Sequence, residues 1–143
     1  MPSSREILIV EDNPGDVRLV REALRDLKPE ITLRSAPDGE EALRFLRRQG
    51  EHAGAARPRL ILLDFNLPKS DSRSVLREIK ADLSLRGIPV AVLTTSDSEK
   101  DIQEAYDLHA NCYLRKPVDL DEFLATIRST ANFWLNVAQP GVD

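Results

Sequence analysis

Leu60-Ile61-Leu62-Leu63-Asp64 is the stretch whose reading decides the fold. Four apolar residues run together without polar alternation and stop at an acid. That pattern predicts a strand buried on both faces, as strands of parallel sheets are. Working outward, Ile7-Leu8-Ile9-Val10 repeats the pattern before Glu11-Asp12, and Val90-Ala91-Val92-Leu93 repeats it before Thr94. Ile31 to Ala36 reads as a weaker strand, and Cys112-Tyr113-Leu114 as a short one leading to Lys116-Pro117.

Helix-period segments fill the gaps. Val17, Val20, Leu24 and Leu27 share one face of the first, with Asp12 or Asn13 as cap, Pro14 in the first turn and Pro29 as its end. The second carries Ala42, Phe45 and Leu46, and a longer loop from Gln49 to Arg59 follows. Pro68 opens a loop before a third helix marked by Val75, Leu76, Ile79 and Leu83. A weak fourth has Ile102, Ala105 and Tyr106. The last presents Leu120, Leu124, Ile127, Ala131 and Trp134. Five strands alternating strictly with five helices predict an α/β, doubly wound parallel sheet with right-handed crossovers. Periodicity does not set the order of the strands.

Length and composition agree with one domain over residues 1–143. The chain of 143 residues is 41% hydrophobic, enough for an α/β core without covalent staples. Twenty basic residues against 24 acids give a net charge of −4, which argues against a nucleic-acid partner. Cys112 is the sole cysteine and there are two histidines, so neither an internal disulfide nor a Cys/His zinc set is available. The N-terminal apolar run, Ile7 to Val10, is too short for a signal-peptide core or a membrane span, so a soluble, cytoplasmic protein is expected.

In a parallel sheet the C-terminal ends of the strands form the ligand crevice. Glu11, Asp12 and Asp64 stand at such ends, with Thr94 and Lys116 at two others. Crowded carboxylates need a cation or a raised pKa. With no histidine or cysteine among them, a hard ion such as Mg²⁺ fits, held by one or two carboxylates and completed by waters and a phosphate oxygen. A carboxylate can attack phosphorus to give an aspartyl phosphate, while Mg²⁺, a lysine and a hydroxyl stabilise the transferred oxygens.

Ile9-Val10-Glu11-Asp12-Asn13, Leu62-Leu63-Asp64-Phe65-Asn66-Leu67-Pro68, Val92-Leu93-Thr94-Thr95-Ser96 and Tyr113-Leu114-Arg115-Lys116-Pro117 together resemble the receiver domain of two-component response regulators. The likeness covers residues 5–135. It implies a flavodoxin-like (βα)5 fold with strand order 2-1-3-4-5. It further implies Asp64 as phosphoacceptor, and Glu11, Asp12, Asp64 and the backbone carbonyl of Asn66 as Mg²⁺ ligands. Thr94 becomes the switch hydroxyl, Lys116 the phosphoryl contact and Tyr113 an aromatic switch. A cis Lys116–Pro117 bond is common in such domains and is expected here. The sequence departs from the family at Asp71-Ser72, where Asp-Gly is usual, and at Thr95, where a smaller residue is usual.

The Gln49–Arg59 connection, Leu108-His109-Ala110-Asn111-Cys112-Tyr113 and Asn132-Phe133-Trp134-Leu135 resemble single-domain regulators that partner bacterial phytochromes. A phytochrome-type sensor histidine kinase is the partner this implies. Residues 136–143 then read as a short tail with no output domain. The apolar run Phe133-Trp134-Leu135 suggests a homodimer through the fourth helix, fifth strand and last helix, the run otherwise folding back on its own domain.

Other readings stand beside these. An aspartate-nucleophile phosphatase would favour a second aspartate where Asn66 stands. A nucleotide or flavin module would not place acids in its first loop. A relay protein that drains phosphate shares the same site. His52 and His109 read as surface or rim residues and Cys112 as a small core residue. The set Arg44, Arg47, Arg48, Arg57 and Arg59 reads as a solvated face or else a docking patch.

Overall fold

A computed structural model describes residues 5–67 and 72–140. Among these residues five strands alternate with five α-helices: β1 Glu6–Val10, α1 Pro14–Leu24, β2 Thr32–Ala36, α2 Gly39–Leu46, β3 Leu60–Asp64, α3 Ser72–Ala81, β4 Val90–Thr94, α4 Glu99–Asp107, β5 Cys112–Arg115 and α5 Leu120–Asn132. A 3-10 turn, Gly50–His52, follows α2, and a π-helical turn, Phe133–Val137, extends α5. The strands pair in parallel in the order β2-β1-β3-β4-β5, as the family resemblance implied.

Both faces of the sheet are covered, which is why its strands are apolar throughout. Ile7, Ile9, Leu60, Leu62, Ala91 and Leu93 pack with α1 and α5. Leu8, Val10, Ile61, Leu63, Val90 and Val92 face the opposite way, towards α2, α3 and α4. Pro14 opens α1, and Asn13 caps it by accepting from the amides of Gly15 (2.8 Å) and Asp16 (3.3 Å). Such caps typically contribute about 1 kcal/mol. Asp38, Ser98 and Asp119 cap α2, α4 and α5 in the same way.

Several expectations shift in register. The first helix ends at Leu24, well before Pro29, and Leu27 lies beyond it, partly buried. Leu83 is not on the third helix stripe: it is 78% exposed, because Asp82 accepts from the amide and hydroxyl of Ser84 and turns the chain after Ala81. Leu85 and Ile88 fill the core in its place. In α5 the buried stripe is Phe123, Ile127, Ala131 and Leu135, with Leu124 and Trp134 half-buried beside it. Leu120 is exposed, since the Asp119 cap makes it the first helical residue.

That register also changes the tail. Leu135 is buried in its own core and is not available to a dimer patch. The π-helical turn, closed by the Ala138 amide on the Phe133 carbonyl (2.7 Å), folds it inward. Phe133 remains 47% exposed, edge-on to Trp134. His52 is half-buried against Phe45 with its Nε2 2.5 Å from Glu41 Oε1, so it is not simply a surface group. The cis peptide bond among the described residues is Lys28–Pro29, not Lys116–Pro117. Pro68 and Asp71 lie outside the described residues.

Candidate functional site

Each group at the rim is placed by the end of a strand. Beyond β1 the Glu11 amide donates to the Ala36 carbonyl (3.0 Å), continuing the ladder with β2, and the Glu11 side chain is buried while Asp12 is exposed. β3 delivers Asp64, 2% exposed, whose Oδ1 accepts from the Asn66 amide at 2.8 Å. One carboxylate oxygen from each of Glu11, Asp12 and Asp64 lies within 4.8 Å of the others. After β5 the Lys116 amide donates to the Thr94 carbonyl at 2.7 Å. This extends the pairing by one step and swings the Lys116 ammonium over the acids. Its Nζ lies 2.9 Å from Glu11 Oε1 and 3.3 Å from both Asp64 Oδ2 and Asp16 Oδ2.

Thr94 is buried, and its Oγ1 accepts from the Ser96 amide at 3.1 Å. Asn66 Oδ1 accepts from the Thr95 amide at 3.1 Å, joining the loops after β3 and β4. The Tyr113 hydroxyl donates to the Ser96 carbonyl at 2.8 Å, joining β5 to that second loop.

Three carboxylates (Glu11, Asp16 and Asp64) thus crowd one lysine, with Asp12 beside Glu11 and Asp64 in the acidic cluster. Burial, with a hydrogen bond to Asp64, raises the Glu11 carboxyl to about 8. Burial would lower the Lys116 ammonium, but its bond to Glu11 and the charges of Asp64, Glu11 and Asp16 outweigh that and hold it above its ordinary value. The Glu11 shift is first an effect of burial, while the Lys116 shift reflects the surplus of negative charge around the ammonium. The donors in the acidic cluster are all oxygen, a set suited to a hard divalent cation. A buried carboxylate flanked by a lysine and such a cation is also poised to take up a phosphoryl group.

Glu11, Asp12, Asp64, Thr94, Lys116 and Asn66 therefore meet at one rim, with Tyr113 at its edge. Two participants were not found from sequence. Asp16 lies in the first turn of α1, where acids are common on account of the helix dipole alone. Ser72, noted only as a missing glycine, is buried at the start of α3, with its hydroxyl donating to the Asp64 backbone carbonyl at 2.7 Å. A serine can thus anchor the chain behind Asp64 where the glycine is absent.

Residues 7–128 match the response regulator receiver domain family. The chain belongs to that family. This receiver is 47% identical over 129 residues to response regulator Rcp1 of Synechocystis sp., the match covering 90% of the chain and 88% of Rcp1. The Mn²⁺-bound crystal structure of Rcp1 superposes with a TM-score of 0.89 at 44% identity, over 96% of this chain and 99% of that one. The phosphorylated cyanobacterial phytochrome response regulator RcpA gives a TM-score of 0.92 at 46% identity, over 98% and 100%. A probable methanogenesis regulatory protein, FilR2 of Methanothrix harundinacea, is 41% identical over 129 residues, 90% of this chain and 83% of its own. The receiver is a response regulator homologous to these signalling proteins. No helix among its described residues is long and apolar enough to cross a membrane.

Proposed function

We propose that this receiver accepts a phosphoryl group from a cytoplasmic sensor histidine kinase, of the kind coupled to bacterial phytochromes, onto Asp64. The observation that carries the reading is Asp64 buried at the end of β3 with Lys116 Nζ at 3.3 Å and the Glu11–Asp12 pair beside it. An Asp64 oxygen attacks phosphorus as the bond to the kinase imidazole breaks, and the imidazole leaves with the electron pair. Lys116 neutralises charge on the phosphoryl oxygens, and Thr94 meets one of them with its hydroxyl. Mg²⁺, when bound to Glu11, Asp12, Asp64 and the Asn66 carbonyl, would supply further charge stabilisation of those oxygens. Asn66 has no proton to give as a general acid, which separates this site from a phosphatase. The phytochrome link rests on the identity to Rcp1 and RcpA.

Phosphorylation adds about −1.5 to −2 charge beside Thr94 and Lys116. Both belong to one hydrogen-bonded unit with Ser96 and Tyr113, so a pull on Thr94 is felt by the surface of α4 and β5. That surface, with Tyr113 as its aromatic switch, is where the output partner or a second copy docks. Phe133 and half-buried Trp134 extend it in the proposed homodimer. Burying Phe133 would contribute about 1.5 kcal/mol or more, so Phe133→Ala should weaken the dimer about tenfold by light scattering. A dimer of unchanged strength would remove the tail from the interface.

Mg²⁺ binding should be strongly pH-dependent. The folded Glu11 keeps a proton up to about 8, against 4.5 for the ordinary group. Between those values the metal-free folded state binds more protons than the unfolded chain, so its stability falls as pH rises through the window. A bound cation replaces that proton. The rise in melting temperature on adding Mg²⁺ should therefore be larger at pH 8 than at pH 5.5, and binding near pH 6.5 should release close to one proton. Equal Mg²⁺ stabilisation at the two pH values would contradict this.

A further inference from the structure

The arginine set of the sequence does not act as one face. Arg44 pairs with Glu41, and Arg59 reaches the Trp134 carbonyl on the other side of the sheet. Arg47, Arg48 and Arg57 instead converge with Arg86 on a groove of about 620 Å³. Between the arginines it is lined by Leu46, Pro58, Leu83 and the loop into β4. The groove lies where Pro58 leads into β3 and Ile88 into β4, at the N-terminal ends of the strands. Asp64 closes the opposite end of β3, about 13 Å along the strand from Leu60.

Three observations give this groove a preference. First, none of the described residues lining it is acidic, although the whole chain carries −4. Arg47 has Glu78 and Asp82 of the α3 side at 3.5 and 3.6 Å, and Arg57 donates to the Ser84 carbonyl. Arg48 and Arg86 have no ion-pair partner among the described residues. Second, Leu83 is held out of the core beside these cations, as an apolar contact that the fold itself does not use. Third, Arg48 occupies the position after the α2 cap. Its amide reaches the Phe45 carbonyl and the Gln49 amide the Arg44 carbonyl, a Schellman closure. Its φ is 55°, a conformation in which glycine is the favoured residue. An arginine here costs the helix end stability and supplies a guanidinium to the groove.

We propose that the groove docks an acidic peptide segment of a partner protein, one carrying an apolar side chain for Leu83 and carboxylates for Arg48 and Arg86. Charge complementarity selects this occupant, because the groove is a local concentration of cations on an acidic protein and would steer an acidic chain to itself. It is a surface separate from the phosphorylation rim and does not depend on the function proposed for that rim.

Arg48→Gly makes the test clean, since glycine suits the backbone there and the variant should melt no lower than the wild type. Fluorescence anisotropy of the full chain with a labelled Glu-rich peptide bearing a central leucine should show saturable binding that weakens with added salt. Arg48→Gly and Arg86→Ala should each weaken it by about threefold to fivefold, and the double variant by about tenfold or more. The matched Gln-rich peptide should not bind. Beryllofluoride at Asp64 should leave the affinity unchanged. Absence of saturable binding, equal binding of the Gln-rich peptide, or full affinity in the double variant would each overturn the proposal. So would self-association that the double variant abolishes without any peptide binding, which would assign the groove to a second copy.

Discussion

Asp64→Asn should reduce acid-labile phosphate incorporation to background, with either a cognate kinase or acetyl phosphate as donor. The substitution keeps the shape of the side chain, and an amide at that position can still accept from the Asn66 amide. What it removes is the nucleophilic carboxylate and one negative charge facing Lys116. Relief of that crowding should leave the variant folded and no less stable than the wild type in the absence of metal. Loss of labelling together with an intact melting transition separates chemistry from folding. Labelling that persists at the wild-type level would place the acceptor elsewhere.

Lys116→Met should be the most damaging single change to the site's stability. The Lys116 side chain is 12% exposed, and its ammonium sits within 3.3 Å of three carboxylates, two of them almost wholly buried. Removing one partner of a buried ion pair typically costs about 3–5 kcal/mol, because the other charges stay buried without compensation. The loss should be greater at pH 8 than at pH 6, where Glu11 is protonated and the remaining repulsion is smaller. Divalent cation should recover part of the stability at pH 8. It should not restore phosphotransfer, expected to fall about a hundredfold with the lysine gone. Urea unfolding at the two pH values, with and without Mg²⁺, checks the first part. A stability loss that does not depend on pH would detach Lys116 from the acidic cluster.

How far the sequence carried depended on the kind of information each residue held. β1, β3 and β4 were plain because parallel strands buried on both faces leave runs such as Leu60 to Leu63, with the chemistry displaced to their C-terminal ends. The gathering of Glu11, Asp12, Asp64, Thr94 and Lys116 followed from that rule alone, but their roles and the strand order came from family resemblance. Helix register was less legible. Leu120, Leu124 and Trp134 fit a helical stripe with Ile127 and Ala131 as well as Phe123 and Leu135 do, and only the packing shows which of them is buried. Leu83 was misplaced for a similar reason, since a local bond from Ser84 to Asp82 ends the helical segment early. Asp16 and Ser72 were missed because their partners, Lys116 and the Asp64 carbonyl, are distant in sequence or belong to the backbone. The arginines were legible only as an undivided set, since Arg86 joins Arg47, Arg48 and Arg57 only in three dimensions.

Asp64 as the phosphoacceptor is tested most directly by trapping the acyl phosphate. Borohydride reduces an aspartyl phosphate to homoserine, and peptide mapping by mass spectrometry then reads its position. After incubation with a phosphodonor and Mg²⁺, homoserine should appear at position 64 and nowhere else, and omission of the metal should suppress it. Homoserine at position 12 or 16, or phosphate retained on a side chain that borohydride does not reduce, would contradict the assignment.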